Sequence, residues 1–364
     1  MLSSDKGKGG AAKGGQLRPE RPPPSGYRGG NEGATAPGRS PDPESVSLTP
    51  FPRPRPALPA IKLEMTNLEL LHHFTTATYQ TISTNEDVRE LWRLVLPQIA
   101  FSKEFLMHAM LAMSALHLSF LRSPDKSYVV QAAHHHGKAL GSLRTAFSAL
   151  DPEHVNATFA TSSITAMYVY ACPPVVEDKL PTAPTWIPLF KGICATSLQC
   201  WEWVRGGELA PLFIRKKVNH SSCAGEDFRF PSSLFDLSRR GASGEPDPEE
   251  LEDDNVLGIY RRATEELKLS WDLFRSTEPR VSATFKWPAT MSDEFVRFIE
   301  EQRPRALVLL AHHCVLIESL EEVYWWAKGR GVDEIKRIEG VLEEKWKRWL
   351  DWPIEKCKIS KRAG

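Results

Sequence analysis

Apolar side chains are sparse in the first sixty residues and then recur at helical spacing. Residues 1–60 hold twelve Pro and ten Gly, with few apolar side chains beyond isolated Leu, Val, Phe and Tyr. So little apolar surface cannot offset the entropy of ordering, so residues 1–61 are expected to form a disordered arm. From Thr66 the pattern changes. Thr66 and Glu69 stand at capping-box spacing ahead of Leu68, Leu70, Leu71, Phe74, Ala77 and Ile82. A second helix is predicted over 87–101, with Leu91, Trp92, Val95 and Ile99 on one face and a kink at Pro97. The third, over 103–121, is apolar on nearly every side (Phe105, Leu106, Met107, Met110, Leu111, Met113, Leu116, Leu118). A helix apolar all round belongs at the centre of its domain.

The same reading predicts helices over 127–150, 152–171, 186–205, 209–216, 255–276, 292–302, 304–328 and 332–350. Cys172-Pro173-Pro174 and Gly206-Gly207 act as stops, and Pro304 suits a first helical turn. Residues 238–254 read as a disordered acidic loop without packing potential. Alternating β-branched runs are almost absent, so no sheet is expected. The fold class is all-α: a single multi-helix orthogonal bundle of about ten helices over 62–355, preceded by the arm and followed by a basic tail over 356–364.

Charge narrows the function classes. The chain has 46 Lys/Arg and 46 Asp/Glu, so bulk electrostatics do not make it a polyanion binder. The arm is only locally basic, with nine Lys/Arg against five Asp/Glu, and reads mainly as a solvated linker. Six cysteines (Cys172, Cys194, Cys200, Cys223, Cys314, Cys357) include no CxxC pair, which predicts reduced thiols in an intracellular protein. The first residues are polar and give no secretory signal. The apolar run 105–121 is broken by His108, Ser114 and His117, as in a buried helix rather than a membrane span.

The sequence holds no GxSxG elbow, P-loop, dinucleotide fingerprint or HExxH. Histidines cluster at His72-His73, at His134-His135-His136, and at His312-His313 beside Cys314. Adjacent helical residues point about 100° apart, so none of these runs chelates a metal alone. A site assembled from His117, His134 and Cys314 is weighed against surface or hydrogen-bonded core histidines, and the latter is favoured. The carboxylates at 249–250, 252–254, 300–301 and 321–322 read as solvated loops and exposed helix faces. No enzyme, cofactor or metal is expected.

Several segments resemble a known family when taken in order. They are LELLHHFTTATYQTI, LWRLVLPQIAFSKEFLMHAMLAMSALHLSFL, the stretch Tyr128–Leu150, the stretch Trp186–Phe213, and RPRALVLLAHHCVLIESLEEVYWWAKGRG. Trp346, Trp349 and Trp352-Pro353 close the series. Over residues 66–353 the chain resembles the regulatory domain of fungal zinc-binuclear-cluster transcription factors, with the sterol-uptake control regulators as the nearest type. The resemblance implies an all-helical domain that senses a sterol or other apolar small molecule and controls RNA polymerase II transcription of sterol uptake or biosynthesis genes. It also implies a homodimer or a heterodimer with zinc-cluster factors, and residence in the nucleus with possible shuttling. Relatives place six closely spaced cysteines before this domain. Here the first cysteine is Cys172, so no DNA-binding module is recognisable. Two readings stay open: a cluster-less paralogue, or a chain whose first coding exon is missing.

Under this resemblance the ligand-binding candidates are Phe105, Met107, Met110, Met113, Trp201 and Trp325. Met adapts to irregular cavities, though a close-packed core explains the same spacing. Trp201, Trp203, Trp325 and Trp326 read mainly as packing residues, and adjacent 325 and 326 cannot both face one core. Arg215-Lys216-Lys217 and the tail residues Lys356, Lys358, Lys361 and Arg362 read as solvated ends rather than an import signal. The competing reading is a cluster-less dimerisation module that modulates full-length factors.

Overall fold

In a computed structural model, the described residues are 64–122, 126–147, 154–172, 186–188, 191–192, 195, 203–213, 216–217, 228–242, 246–278 and 280–358. The predicted arm lies outside them, as do Trp201 and most of the predicted helix 186–205. Residues 62–364 group as one compact unit. The fold is all-α, with fourteen α-helical segments among the described residues. The extended pairing there is a two-residue antiparallel ladder, Lys216 against Glu278 and Lys217 against Thr277. The basic run expected at a helix end is therefore extended at Lys216 and Lys217.

Helix α1 spans Met65–Thr76. Its first turn differs from the expected capping box. Glu64 occupies the cap position without a side-chain cap bond, Thr66 lies within the helix, and Glu69 instead meets Arg122 and the Tyr128 hydroxyl. The predicted second helix is built from α2 (Glu86–Glu90), a π-helical turn (Leu91–Val95) and α3 (Leu96–Ser102). Asn85 caps it by accepting from the Asp87 N–H. The widened turn ends at Val95, two residues before Pro97, whose ring nitrogen cannot donate to the ladder.

The centre is α4, Glu104–Leu121. Every residue from Phe105 to Leu118 except Met107 is buried. It is the one helix among the described residues long and apolar enough to cross a membrane, and most of it is buried inside the protein. Its faces serve two apolar clusters. Phe105, Leu106, Ala109, Met110 and Met113 enter the larger one. Leu111, Ala112, Ala115, Leu116 and Leu118 join Leu70, Tyr128, Ala132 and Tyr168 in the smaller. Around α4 pack α1, α3, α5 (Lys126–Phe147) and α6 (Val155–Ala171). The Ser114 hydroxyl is satisfied by donating to the Leu70 carbonyl at 2.6 Å.

The larger cluster continues through α7 (Asp254–Ser276), α8 (Arg280–Thr284), α9 (Lys286–Thr290), α10 (Asp293–Glu300) and α11 (Pro304–Glu318). It closes with α12 (Arg330–Val341), α13 (Glu344–Lys347) and α14 (Asp351–Lys356). Helix α11 stops ten residues before its predicted end. The chain turns at Ser319, and Trp325 and Trp326 sit in a 3-10 turn. Trp326 is buried and Trp325 half-buried, so the break places adjacent indoles in different settings.

The acidic stretch read as an unpacked loop is corrected by Arg305. This guanidinium is fully buried on α11. Its Nε donates to Glu250 Oε2 at 2.9 Å, Nη2 to the Asp247 carbonyl at 2.6 Å and Nη1 to the Leu237 carbonyl at 3.2 Å. Asp247 in turn accepts from the Trp346 indole N–H at 3.1 Å, and Tyr260 donates to Glu250 at 2.6 Å. Leu251 is buried beside Glu250 in the chain. A buried cation needs acceptors on every side, and this acidic segment supplies them. Leaving these acceptors without their cation predicts that Arg305→Met lowers unfolding free energy by about 3–5 kcal/mol, measured by urea denaturation.

Candidate functional site

The candidate residues do not converge on one cavity. Phe105 lines an open cavity of about 380 Å³ with Ser142, Thr145, Ala146 and His154. Met110 and Met113 are wholly buried and close-packed in the larger cluster, while half-buried Met107 touches both clusters. Trp325 lies beside His117, twelve residues from Phe105 along α4 and so about 18 Å further on. Trp201 lies outside the described residues. The geometry thus spreads the candidates along α4, with Phe105 at one end and Trp325 at the other.

At the Trp325 end the chain builds a polar–aromatic cluster that sequence spacing did not reveal. The Trp325 indole N–H donates to Thr81 Oγ1 at 2.9 Å, and its ring stacks on His117 with centroids 4.9 Å apart. His117 Nδ1 lies 3.0 Å from Thr78 Oγ1 and 3.3 Å from His73 Nε2. Phe120 also meets Trp325, with centroids 5.4 Å apart, and the Lys328 ammonium sits 5.6 Å over the Phe120 ring. The available signal was a histidine on a helix with no solvent face, since a buried polar group requires partners.

A second histidine pair joins α4 to α5, with His108 Nδ1 and His135 Nδ1 2.9 Å apart. His108 Nε2 reaches Glu104 at 3.4 Å. His135 also lines an open cavity of about 320 Å³ with Glu64, Thr66, Asn67, Val130, Gln131, His134 and Lys138. His136 stacks on Tyr168 with centroids 3.8 Å apart. On α6, Thr158, Thr161 and Thr165 share the face of Tyr168 by helical spacing, and their buried hydroxyls have no hydrogen-bond partner among the described residues.

Burial sets the charge state of these rings. It holds His117, His135 and His136 down to about 4, with the His73 charge adding to the effect on His117 and the His108 charge to that on His135. Burial lowers His73 and His108 as well. His312 and His313 on α11 are also driven to about 4 by burial. His312 Nδ1 is 2.8 Å from the Val308 carbonyl and His313 Nε2 is 2.8 Å from the Thr284 carbonyl. The favoured reading of core histidines applies to these rings. Among the described residues no group of three or more His, Cys, Asp or Glu is placed to hold a metal ion, so His117, His134 and Cys314 form no such site.

Comparison with known proteins places residues 69–173 in a match to the fungal specific transcription factor domain. A Zn(2)-C6 fungal-type transcription factor of Gibberella zeae is 27% identical over 312 residues, covering 80% of this chain and 61% of that protein. A second Zn(2)-C6 fungal-type transcription factor, from Aspergillus fumigatus, is 26% identical, covering 78% of this chain and 75% of its own length. Sterol uptake control protein 2 of Saccharomyces cerevisiae is 35% identical over 106 residues, covering 29% of this chain and 11% of that protein. The likeness to the regulatory domain of fungal zinc-cluster factors therefore holds, while the chain spans only part of each relative.

The depressed histidines give a signed prediction. A buried imidazole with a pKa near 4 stays neutral while the unfolded chain takes up a proton near 6.5. Stability is therefore full above about 6.5 and falls as pH drops toward 4. For fully buried His312 and His313 the loss is about 1.4 kcal/mol per pH unit each within that window. Thermal denaturation between pH 7 and pH 4.5 should show the melting temperature falling steadily. His313→Asn should flatten part of that slope.

Proposed function

We propose, from the premise that this chain is a fungal transcription-factor-like regulator, that its helical domain senses an apolar, sterol-like ligand and so controls transcription in the nucleus. The single observation that carries the reading is the partial likeness to two proteins named sterol uptake control protein 2, in a chain whose residues 69–173 match the fungal specific transcription factor domain. Residues 69–173 run from within α1 to the end of α6 and include the whole of α4. The physical setting agrees with an apolar ligand that carries a hydroxyl. The helix has Met107, Met110 and Met113 along it, and Met side chains adapt their shape. The nearby unpartnered hydroxyls of Thr158, Thr161 and Thr165 want a polar group. Binding would take place by rearrangement around α4, since Met110 and Met113 are close-packed. Ligand-binding roles for Phe105, Met107, Met110, Met113, Trp201 and Trp325 belong to this proposal.

One observation favours the second reading, a dimerisation module acting on zinc-cluster factors. Phe120, Leu121 and Val323 are exposed at the Trp325 end of α4, with exposures of 44%, 57% and 53%. Exposed apolar side chains grouped with an aromatic contact mark interaction surfaces. Capture of a zinc-cluster partner that depends on Leu121, with no ligand bound, would favour this reading.

Sensing is tested on the purified chain with a fluorescent sterol and by thermal denaturation. Saturable binding is expected, with a stability gain of about 2.7 kcal/mol at a ligand concentration 100 times the dissociation constant. Trp325→Ala should weaken binding more than Trp203→Ala. The absence of any shift with sterols, fatty acids and long-chain alcohols would overturn the sensing proposal.

A further inference from the structure

Buried N–H donors without an acceptor gather in one corner of the larger cluster. On α7, Trp271 and Arg275 stand four residues apart and so share a face. Trp349 lies in the 3-10 turn Arg348–Leu350, and Trp352 follows three residues later in the first turn of α14, again on one face. The two pairs meet where the Trp271 and Trp352 ring centroids lie 5.6 Å apart. Trp271 Nε1, Arg275 Nε and Trp349 Nε1 are all buried, and none has a hydrogen-bond partner among the described residues. Trp271 is wholly enclosed, so water does not reach its N–H from outside.

The donors define the missing partner. An indole N–H only donates, and a guanidinium donates without accepting. Together they call for an acceptor, and the guanidinium adds a full positive charge. No ion pair reaches Arg275 among the described residues. Its place in the last turn of α7, beside the helix carbonyls, favours the cation there. Buried donors are rarely left unpaired, so several at one corner mark a place built for something that accepts.

The surroundings select among acceptors. Phe228 packs on Trp271 with centroids 4.7 Å apart, and His312 stacks on Trp352 with the rings 6° from parallel. Aromatic walls around a few polar groups suit a ligand with an apolar body. One guanidinium balances one negative charge, whereas a phosphate dianion would leave charge uncompensated among the rings. At the rim, the Lys356 ammonium sits 6.0 Å over the Trp352 ring and gives approaching anions an attractive field.

We propose that this corner binds an organic monocarboxylate of the fatty-acid class. The carboxylate accepts from Trp271, Arg275 and Trp349, and the apolar chain lies along the aromatic rings. These residues belong to α7 and the α13–α14 junction and none to α4, so the site does not rest on the sterol reading.

Calorimetric titration of the full chain with dodecanoate, dodecanol and inorganic phosphate tests the assignment. Dodecanoate is expected to bind saturably, dodecanol at least about tenfold more weakly, and phosphate without measurable heat. Trp349→Phe keeps a ring and removes one N–H, while Arg275→Met keeps an apolar stem and removes the charge. Each is expected to weaken dodecanoate binding by roughly tenfold or more, with circular dichroism verifying the fold and sterol binding unchanged. Should one variant misfold, the other carries the test. Equal affinity for dodecanoate and dodecanol would overturn the proposal. Full dodecanoate affinity in either folded variant would also overturn it, as would phosphate held in place of the carboxylate.

Discussion

A helix without a solvent face must be enclosed, and that constraint on α4 organises this molecule. Burial from Phe105 to Leu118 requires partners around the whole circumference, which α1, α3, α5 and α6 provide. Two apolar clusters exist because the helix divides them as a shared wall. The polar residues in the same run have few arrangements open to them. Ser114 reaches a carbonyl, His108 reaches His135, and His117 reaches Thr78 and His73. Burial makes these bonds specific, because a misplaced helix would leave an uncompensated polar group in the core.

The far half solves a related problem with charge. Arg305 enters the core and recruits Leu237, Asp247 and Glu250 as acceptors, so residues of an acidic stretch take part in packing. Glu318 and Glu321 do comparable work on the N-terminal amides of α12. In both places an acidic residue that resembles solvation in the sequence is placed by a donor distant in the chain.

That distinction marks what the sequence made legible. The all-α class, the central position of 104–121 and most helices followed from local periodicity, a property held within each segment. The packing of Asp247 and Glu250 depended on Arg305, more than fifty residues away, so no local pattern announced it. The early end of α11 depended on Trp325 and Trp326 needing separate surroundings and on two carboxylates turning back to α12. At α1, Thr66 and Glu69 had the spacing of a capping box, yet the cap position fell two residues earlier at Glu64 and Glu69 turned to Arg122. For the candidate site, the apolar character of Phe105, Met110 and Met113 was readable, whereas their separation from Trp325 along α4 emerged only in three dimensions. The histidine pairs were visible as residues but not as partners, because 44 and 27 positions separate their members.

Function in this account rests on α4 and its surroundings being able to admit an apolar molecule between close-packed helices. Photoaffinity labelling with a diazirine sterol, followed by peptide mapping, addresses that directly. The account predicts saturable labelling within 105–117, 155–171 or the turn at Trp325, competed by unlabelled sterol. Labelling that does not saturate, or that maps only to surface positions remote from α4, would contradict it.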